Sequence, residues 1–551
     1  MLVDARSLTE NTIIETDVCI VGAGTAGITL AREFIGQKFG VCLLESGGLK
    51  PDQETQALYR GENIGHPYFS LDTARTRCLG GSTTRWQIEI GNNCFGARMR
   101  PLDAIDFEER DWLPYSGWPF RKSHLDPFYE RAQAICRIES PSFSLQDWDE
   151  IAKAKRLSFQ GDQIKTVIFK FGGRNPFLED YVQEITRATN ITTYLYANVI
   201  NIETDQAAQT VKRLRIACLT GSKFWVSAKI VILAAGAIEI PRILLLSNQS
   251  QKAGLGNQND LVGRFFMEHL HFNLGFLVPS DPNIFQLTSL YNTIHPVNGT
   301  AIRGKLSLSE DVLRRKKLLN HVAQLDPMIM LYSSLGDLFY PNISSDSVKS
   351  LKAIRSAIFR GAKLNNPGYH LKNVTTGLDE VIITIFRAIK RRVVGTFNKK
   401  RIKLFSLENM SEQVPNSDSR ITLSPDKDNL GMNRVRLDWR LSPIDIESAL
   451  KTLQIFDQEF QSADLGRLYL RLQDDTPPMS IGGGWHHMGT TRMHVDPKKG
   501  VVDENSRLHG MLNLFVAGPS VFPTGGYANP SLTIVALAVR LADHIKKILE
   551  R

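Results

Sequence analysis

A strand, glycine turn, helix and second strand at residues 17–48, a continuous apolar run ending in Ala234-Ala235-Gly236, and a C-terminal strand followed by a long apolar helix predict an α/β fold. In it a Rossmann-like nucleotide-binding unit is split along the chain, and a mixed α+β sheet-and-helix part carries the substrate. The 551 residues suffice for about two to four domains. The expected division assigns 12–100, 190–272 and 476–551 to the nucleotide-binding domain. Residues 101–189 and 273–475 form the substrate or cap domain, with a basic helical subregion at 346–403.

In order, Asp17-Val18-Cys19-Ile20-Val21 is a short apolar strand, and Gly22, Gly24 and Gly27 follow in G-x-G-x-x-G spacing. Gly22 permits the tight turn, Gly24 lets backbone approach a pyrophosphate, and Gly27 lets the helix pack closely on the strand. The helix N-terminus then presents unpaired N–H groups to the anion. Val41-Cys42-Leu43-Leu44 is the second strand. Glu45, about 20 residues past the glycines, stands where an acid accepts hydrogen bonds from a ribose.

Arg75 to Trp86 holds a second turn, Gly80-Gly81-Ser82, where backbone could approach a cofactor; a plain loop explains this segment equally well when it is taken alone. Leu125 to Ala132 reads as helix, and Ala197 to Ile200 and Arg213 to Ile216 as strands. Ala228 to Leu233 reads as a buried parallel strand stopping at Gly236, and the helix after it places Pro241 in its first turn. Ser442 to Phe460 has helical spacing, and Gly482 to Met493 contains His486-His487-Met488-Gly489-Thr490. Leu514 to Gly518 is a short strand, and Asn529-Pro530-Ser531 opens the last helix.

The composition, 42% hydrophobic and 22% charged, is that of an ordinary globular protein. MLVDARSLTENTIIETD lacks the apolar core of a secretory signal, and no run reaches the ~18 apolar residues of a membrane span. The six cysteines show no metal spacing, so no metal is expected, and Cys19 and Cys42 read as buried thiols. Cytoplasm is the expected location. A net charge of +9 raises the question of nucleic acid, but no nucleic-acid module is present, so none is expected as a partner. The excess is local: residues 346–403 carry fourteen Lys and Arg against Asp346, Asp379 and Glu380. Val348, Leu351, Ile354 and Ile358 share one helical face, as do Leu378, Ile382, Ile385 and Ile389. A cap with solvated Lys and Arg is the favoured reading; peripheral contact with an anionic membrane surface is the other.

With these blocks in order the chain resembles the glucose-methanol-choline (GMC) family of FAD-dependent oxidoreductases, end to end. The resemblance is strongest at 17–48, 75–86, 228–245 and 484–545, and the H-x-M-G-T block followed by N-P-x-x-T carries it. It implies FAD, with Gly22, Gly24, Gly27 and Glu45 on the ADP half. Gly80, Gly81 and Ser82 would lie near the pyrophosphate and isoalloxazine, and the backbone of Val199 near adenine. Gly236 ends the strand that returns to the nucleotide sheet, and Gly518, Asn529, Pro530 and Ser531 would lie by the ribityl chain and ring. His486 matches the active-site histidine, and Asn529 the second active-site position. Some relatives link FAD covalently through a histidine beside the glycine loop. Here Arg85 stands just before the tryptophan, so noncovalent FAD is expected.

The chemistry that follows is oxidation of a CH–OH group to a carbonyl: a neutral imidazole with a pKa near 7 takes the hydroxyl proton while hydride passes to flavin N5. Asn529 cannot act as base but can hold the hydroxyl oxygen. The partner is a small-molecule alcohol, with sugars and polyols favoured over a lipophilic alcohol at a membrane. Oxygen, a quinone or a protein could accept the electrons. A non-redox lyase or photoenzyme on the same fold, an NAD-dependent dehydrogenase, and a membrane-docked binding protein without turnover are the rival readings.

Overall fold

Strands with apolar residues on both faces form the first of two large sheets. The computed structural model describes residues 1–85, 88–91, 94–138, 142–145, 148, 155–172, 175–297, 300–332, 400–470 and 481–551. The basic helical patterns expected within 346–403 lie outside the described residues up to 399, as does Trp86. Lys400 onward belongs to a strand.

The first sheet runs Leu2–Asp4, Ile191–Leu195, Val41–Leu44, Ile13–Val21, Lys223–Leu233, Val211–Ala217, Asn198–Thr204, with Leu514–Val516 also paired to Lys223–Leu233. Its centre is parallel, with Ile20 opposite both Leu43 and Ile232, and Cys19 opposite Cys42. Helices cover a parallel sheet, which is why its strands read as unbroken apolar runs. Lys223–Leu233 is long because it serves two partners on one edge: its first half pairs antiparallel with Val211–Ala217 and its end parallel with Leu514–Val516. Ser531–Leu549 packs against Thr25–Glu33 and Lys122–Ile135, and Leu532, Val535, Ala536, Val539 and Ala542 are fully buried.

The helix after Ala-Ala-Gly spans Gly236–Leu246, so Pro241 falls in its second turn rather than the expected first. A proline there leaves the Ala237 carbonyl without its helical donor. The Thr490 hydroxyl donates to that carbonyl at 2.6 Å, tying the H-x-M-G-T block to this helix.

The second sheet is antiparallel: Gly466–Leu470, Gly275–Pro279, Lys400–Ser411, His321–Tyr332, Thr300–Leu308, Ile164–Phe171, Arg98–Met99. Leu270–Phe272 pairs with the end of Lys400–Ser411 and with Gly482–Gly483. Three of these strands, Arg98–Met99, Leu270–Phe272 and Gly482–Gly483, lie in stretches the sequence assigned to the nucleotide domain. Residues alternate between faces. Ile168, Leu306, Leu325 and Leu407 join a core with Leu453, Phe456 and Phe460 of the helix Pro443–Ser462. The opposite face carries Val167, Phe169, Val322 and Met410, which pack with Tyr527. That face turns toward the residues before the C-terminal helix.

Candidate active site

One cavity of about 470 Å³ runs from the N-terminal glycine turn to His486 and Asn529. Gly22 has φ +103°, and a Cβ on Gly27 would stand 1.9 Å from the Gly22 carbonyl oxygen, so the turn and the close packing both require glycine. Around Gly24 there is open space. Three helices begin at this cavity without a side-chain cap: Thr25–Glu33, Gly236–Leu246 and Ser531–Leu549. Uncapped N–H groups at converging positive helix ends fit the diphosphate of a dinucleotide.

Glu45 is buried at the end of its strand and lines the cavity. Its carboxylate accepts from the Ala23 N–H at 3.0 Å and the Gly47 N–H at 2.8 Å, so it also braces the glycine turn. Gly81, Ser82, Val199, Gly236, Gly518, Pro530 and Ser531 line the same cavity. Gly27 and Gly80 are not among its lining residues: Gly27 packs under the turn, and Gly80 donates its N–H to the Ala23 carbonyl at 2.9 Å. Arg85 donates to Thr76 Oγ1 at 2.7 Å and to the Thr73 and Arg75 carbonyls, stapling its own loop.

At the other end Asn529 and His486 meet, with Nδ2 of Asn529 3.0 Å from Nε2 of His486. Two neighbours fix how these groups point. Arg98 donates through Nε to Asn529 Oδ1 at 2.9 Å; a guanidinium only donates, so the amide oxygen faces Arg98 and the NH₂ faces His486. His269 joins Nδ1 to His486 Nδ1 at 2.9 Å and Nε2 to the Gly525 carbonyl at 3.3 Å. A carbonyl only accepts, so His269 carries its proton on Nε2 and accepts at Nδ1. His486 therefore carries its proton on Nδ1, and its Nε2 lone pair points to Asn529. The hydrogen-bond chain leaves one nitrogen of His486 able to take a proton, the one in the cavity.

Burial, with Arg98 and the other histidines nearby, holds His486 well below the ordinary imidazole range. This differs from the pKa near 7 that the sequence suggests for a free general base. His269 is pushed down to about 4 and His271 to about 3, both chiefly by burial. The cluster is neutral at physiological pH.

The loop bearing His486 is held from beneath. Glu268 is fully buried and accepts from the His486 N–H at 2.8 Å and the Gly484 N–H at 3.1 Å. The Tyr68 hydroxyl donates to its other oxygen. His487 Nε2 reaches the same hydroxyl at 2.8 Å and lies 3.6 Å from Glu268, so the two adjacent histidines serve different partners. Burial pushes the Glu268 carboxyl up to about 7, against the hydrogen bonds it accepts.

Arg98, Glu268, His269 and His271 were not singled out in the sequence. Glu268-His269-Leu270-His271 alternates at strand period, and both imidazoles do face His486, with ring centroids 4.8 and 6.0 Å away. Arg98 had no such signal. Among the described residues no His, Cys, Asp and Glu group could hold a metal, and no helix is long and apolar enough to cross a membrane.

Residues 415–538 match the family model GMC oxidoreductase. The chain is 24% identical over 596 aligned positions to 6'''-hydroxyparomomycin C oxidase of Streptomyces lividus, covering 96% of this chain and 92% of that one. It is 27% identical to 2-methyl-1,2-propanediol dehydrogenase of Mycolicibacterium austroafricanum over 60% of this chain, but spans only 50% of that relative. It is 37% identical to C-glycoside 3-oxidase of Microbacterium trichothecenolyticum over 24% of each chain. Among solved structures, pyridoxine 4-oxidase from Mesorbium loti is similar in fold, with a TM-score of 0.54 and 17% identity over 96% of this chain and 99% of that one. The N-terminal glycine turn, the C-terminal block and these likenesses agree: residues 415–538 match the GMC oxidoreductase model, and the chain is similar to enzymes named as oxidases and dehydrogenases.

Proposed function

We propose that this enzyme binds FAD noncovalently and oxidises a CH–OH group of a small polar alcohol to a carbonyl. The observation that carries the reading is the hydrogen-bond chain from the Gly525 carbonyl through His269, His486 and Asn529 to Arg98. It delivers an unprotonated nitrogen and an oriented amide to one point of a cavity whose far end suits a diphosphate.

In this reading bound FAD supplies the two-electron acceptor. The protein supplies position and proton transfer. Asn529 holds the hydroxyl oxygen, and His486 Nε2 takes its proton as the carbon-bound hydrogen leaves as hydride. Arg98 supports the negative charge that develops on the oxygen. His269 and Glu268 act through His486, the first by fixing its tautomer and the second by fixing its backbone. The cofactor belongs to the parts 12–100, 190–272 and 476–551, and the substrate lies against the second sheet, whose strands Arg98–Met99 and Leu270–Phe272 cross that division.

The face of the second sheet that bears the cavity-lining Arg98 and His271 supports a polar substrate over a lipophilic one. Arg303, Lys305, Gln324, Asp326 and Glu408 lie there at paired or alternating positions. Noncovalent attachment is supported by Arg85, a hydrogen-bonded guanidinium where some relatives have a linking histidine. Five cysteines, Cys19, Cys42, Cys78, Cys136 and Cys218, are free and buried, which supports a reducing, cytoplasmic setting.

Anaerobic mixing of the holoenzyme with sugars, polyols, sterols and long-chain alcohols tests the function. Bleaching of the flavin absorbance by polar alcohols in the dark is expected, and reoxidation by air or by a quinone then identifies the acceptor. A flavin that no alcohol bleaches would contradict the reading.

A further inference from the structure

We propose that the alcohol oxidised here also carries a carboxylate, received between Arg98 and Lys305; this rests on the oxidation assigned to His486 and Asn529. Arg98 stands opposite Phe171 and Lys305 opposite Val167 on neighbouring strands. Phe169 lies between them, with the Arg98 guanidinium 5.5 Å and the Lys305 ammonium 5.3 Å from its ring centroid. Facing residues of an antiparallel pair share a side. Both cations therefore lie on the side that carries Met410 and, opposite it, His271.

Neither cation has an anionic partner among the described residues. Lys305 is 3% exposed and makes no ion pair or hydrogen bond there. Arg98 uses Nε on Asn529, and its Nη2 meets only Met410 Sδ, at 4.0 Å. Glu408 and Asp326 on this face favour the charged forms of both, but less than burial opposes them, and neither acid forms an ion pair with Arg98 or Lys305. Asp326 is taken by Arg303 at 2.6 Å and by Gln324 at 2.9 and 2.8 Å. Glu408 is exposed and forms no ion pair with either cation.

Buried charges are ordinarily paired, because removing an ion from water without a counter-charge is costly. Here burial depresses both groups, Arg98 to about 10 and Lys305 well below its usual value. Two more deeply buried arginines have acids, Arg110 with Glu412 at 2.6 Å and Arg242 with Asp428 at 2.6 Å, whereas buried Arg492 hydrogen-bonds only the Tyr115 carbonyl among the described residues and does not line the cavity. Arg98 lines the reacting end of the cavity, and Lys305 shares its face of the sheet. A carboxylate seated there supplies the missing charge and accepts from a guanidinium fork. Since Arg98 also touches Asn529, the carboxylate lies close to the carbinol carbon, as in a hydroxy acid or a sugar acid. The reaction balances as oxidation of the CH–OH to a ketone or aldehyde: the hydroxyl proton goes to His486 and the hydride to bound FAD, which a quinone or oxygen reoxidises.

The test uses the purified holoenzyme and matched pairs: glycolate with ethylene glycol, lactate with 1,2-propanediol, gluconate with sorbitol. Binding is read by the anaerobic flavin difference spectrum and by calorimetry. At least one carboxylate should bind about tenfold to a hundredfold more tightly than its neutral partner. Lys305→Met should reduce that preference severalfold, with Arg98 left as the remaining donor. Equal affinity within every pair in the wild type, which requires no variant, would overturn the proposal, as would an unaltered preference in a folded Lys305→Met. Bleaching separates the two readings. Neutral alcohols that bleach the flavin without any carboxylate preference leave the oxidation standing and sink the subsite; preferential carboxylate binding without bleaching does the reverse.

Discussion

In the proposed mechanism His486 is the base; its pKa is depressed, so the role rests on the hydrogen bonds that fix its tautomer and leave Nε2 unprotonated. Replacing His269 by Phe keeps a ring in the space but removes the acceptor for His486 Nδ1–H. A lost hydrogen bond of about 0.5–1.5 kcal/mol corresponds to roughly twofold to tenfold slower flavin reduction, with FAD content unchanged, measured by anaerobic stopped flow. Glu268 is the group expected to set the pH dependence. His486 lies well below neutrality and contributes no limb near pH 7, whereas the Glu268 carboxyl is pushed up to about 7. Only its ionised form accepts both loop N–H groups and the tyrosine hydroxyl together. The reduction rate should therefore rise with pH through about 7, and that limb should vanish in Glu268→Gln while surviving in His487→Ala. At this scale the sequence displayed His486 and Asn529 because they sit inside spaced motifs. Arg98, Glu268 and His269 come from other strands, and only folding brings them to the pair.

Individual elements were legible wherever burial is two-sided. Residues 17–21, 41–44, 228–233 and 514–516 and the helix from Ser531 read directly as apolar runs, because helices cover their sheet, whereas the strand extensions 13–16 and 223–227 carry polar residues and did not. The helix at Gly236 was legible but its start was not. Its first turn needs no cap from its own chain, and the defect left by Pro241 is filled from residue 490, which no local pattern shows. Thr490→Val should leave the Ala237 carbonyl unsatisfied and cost about 1–3 kcal/mol, read as a lower urea midpoint at unchanged slope. The glycine loop before residue 86 belongs at this scale too. With Arg85 stapled to Thr76, FAD should leave the protein completely on acid precipitation, whereas yellow colour on the pellet would show a covalent bond.

The whole molecule sets a parallel sheet that ends in helix N-termini against an antiparallel sheet whose inner face is charged. The first half of that arrangement was visible in the sequence through its glycines and the Ala234-Ala235-Gly236 turn. The second was not, because strands such as Thr300–Leu308 and His321–Tyr332 place Arg303, Lys305, Gln324 and Asp326 at core-like positions, and their polar residues disguise them as surface. In the proposed mechanism His486, and not its neighbour His487, removes the substrate proton. The most direct test is anaerobic stopped-flow flavin reduction by a bleaching alcohol in His486→Ala and His487→Ala. General-base catalysis contributes typically 10²–10⁴-fold, so His486→Ala should slow reduction by about that factor with FAD content near normal, and His487→Ala by about tenfold or less. A larger loss in His487→Ala, or reduction in His486→Ala at the wild-type rate, would contradict it.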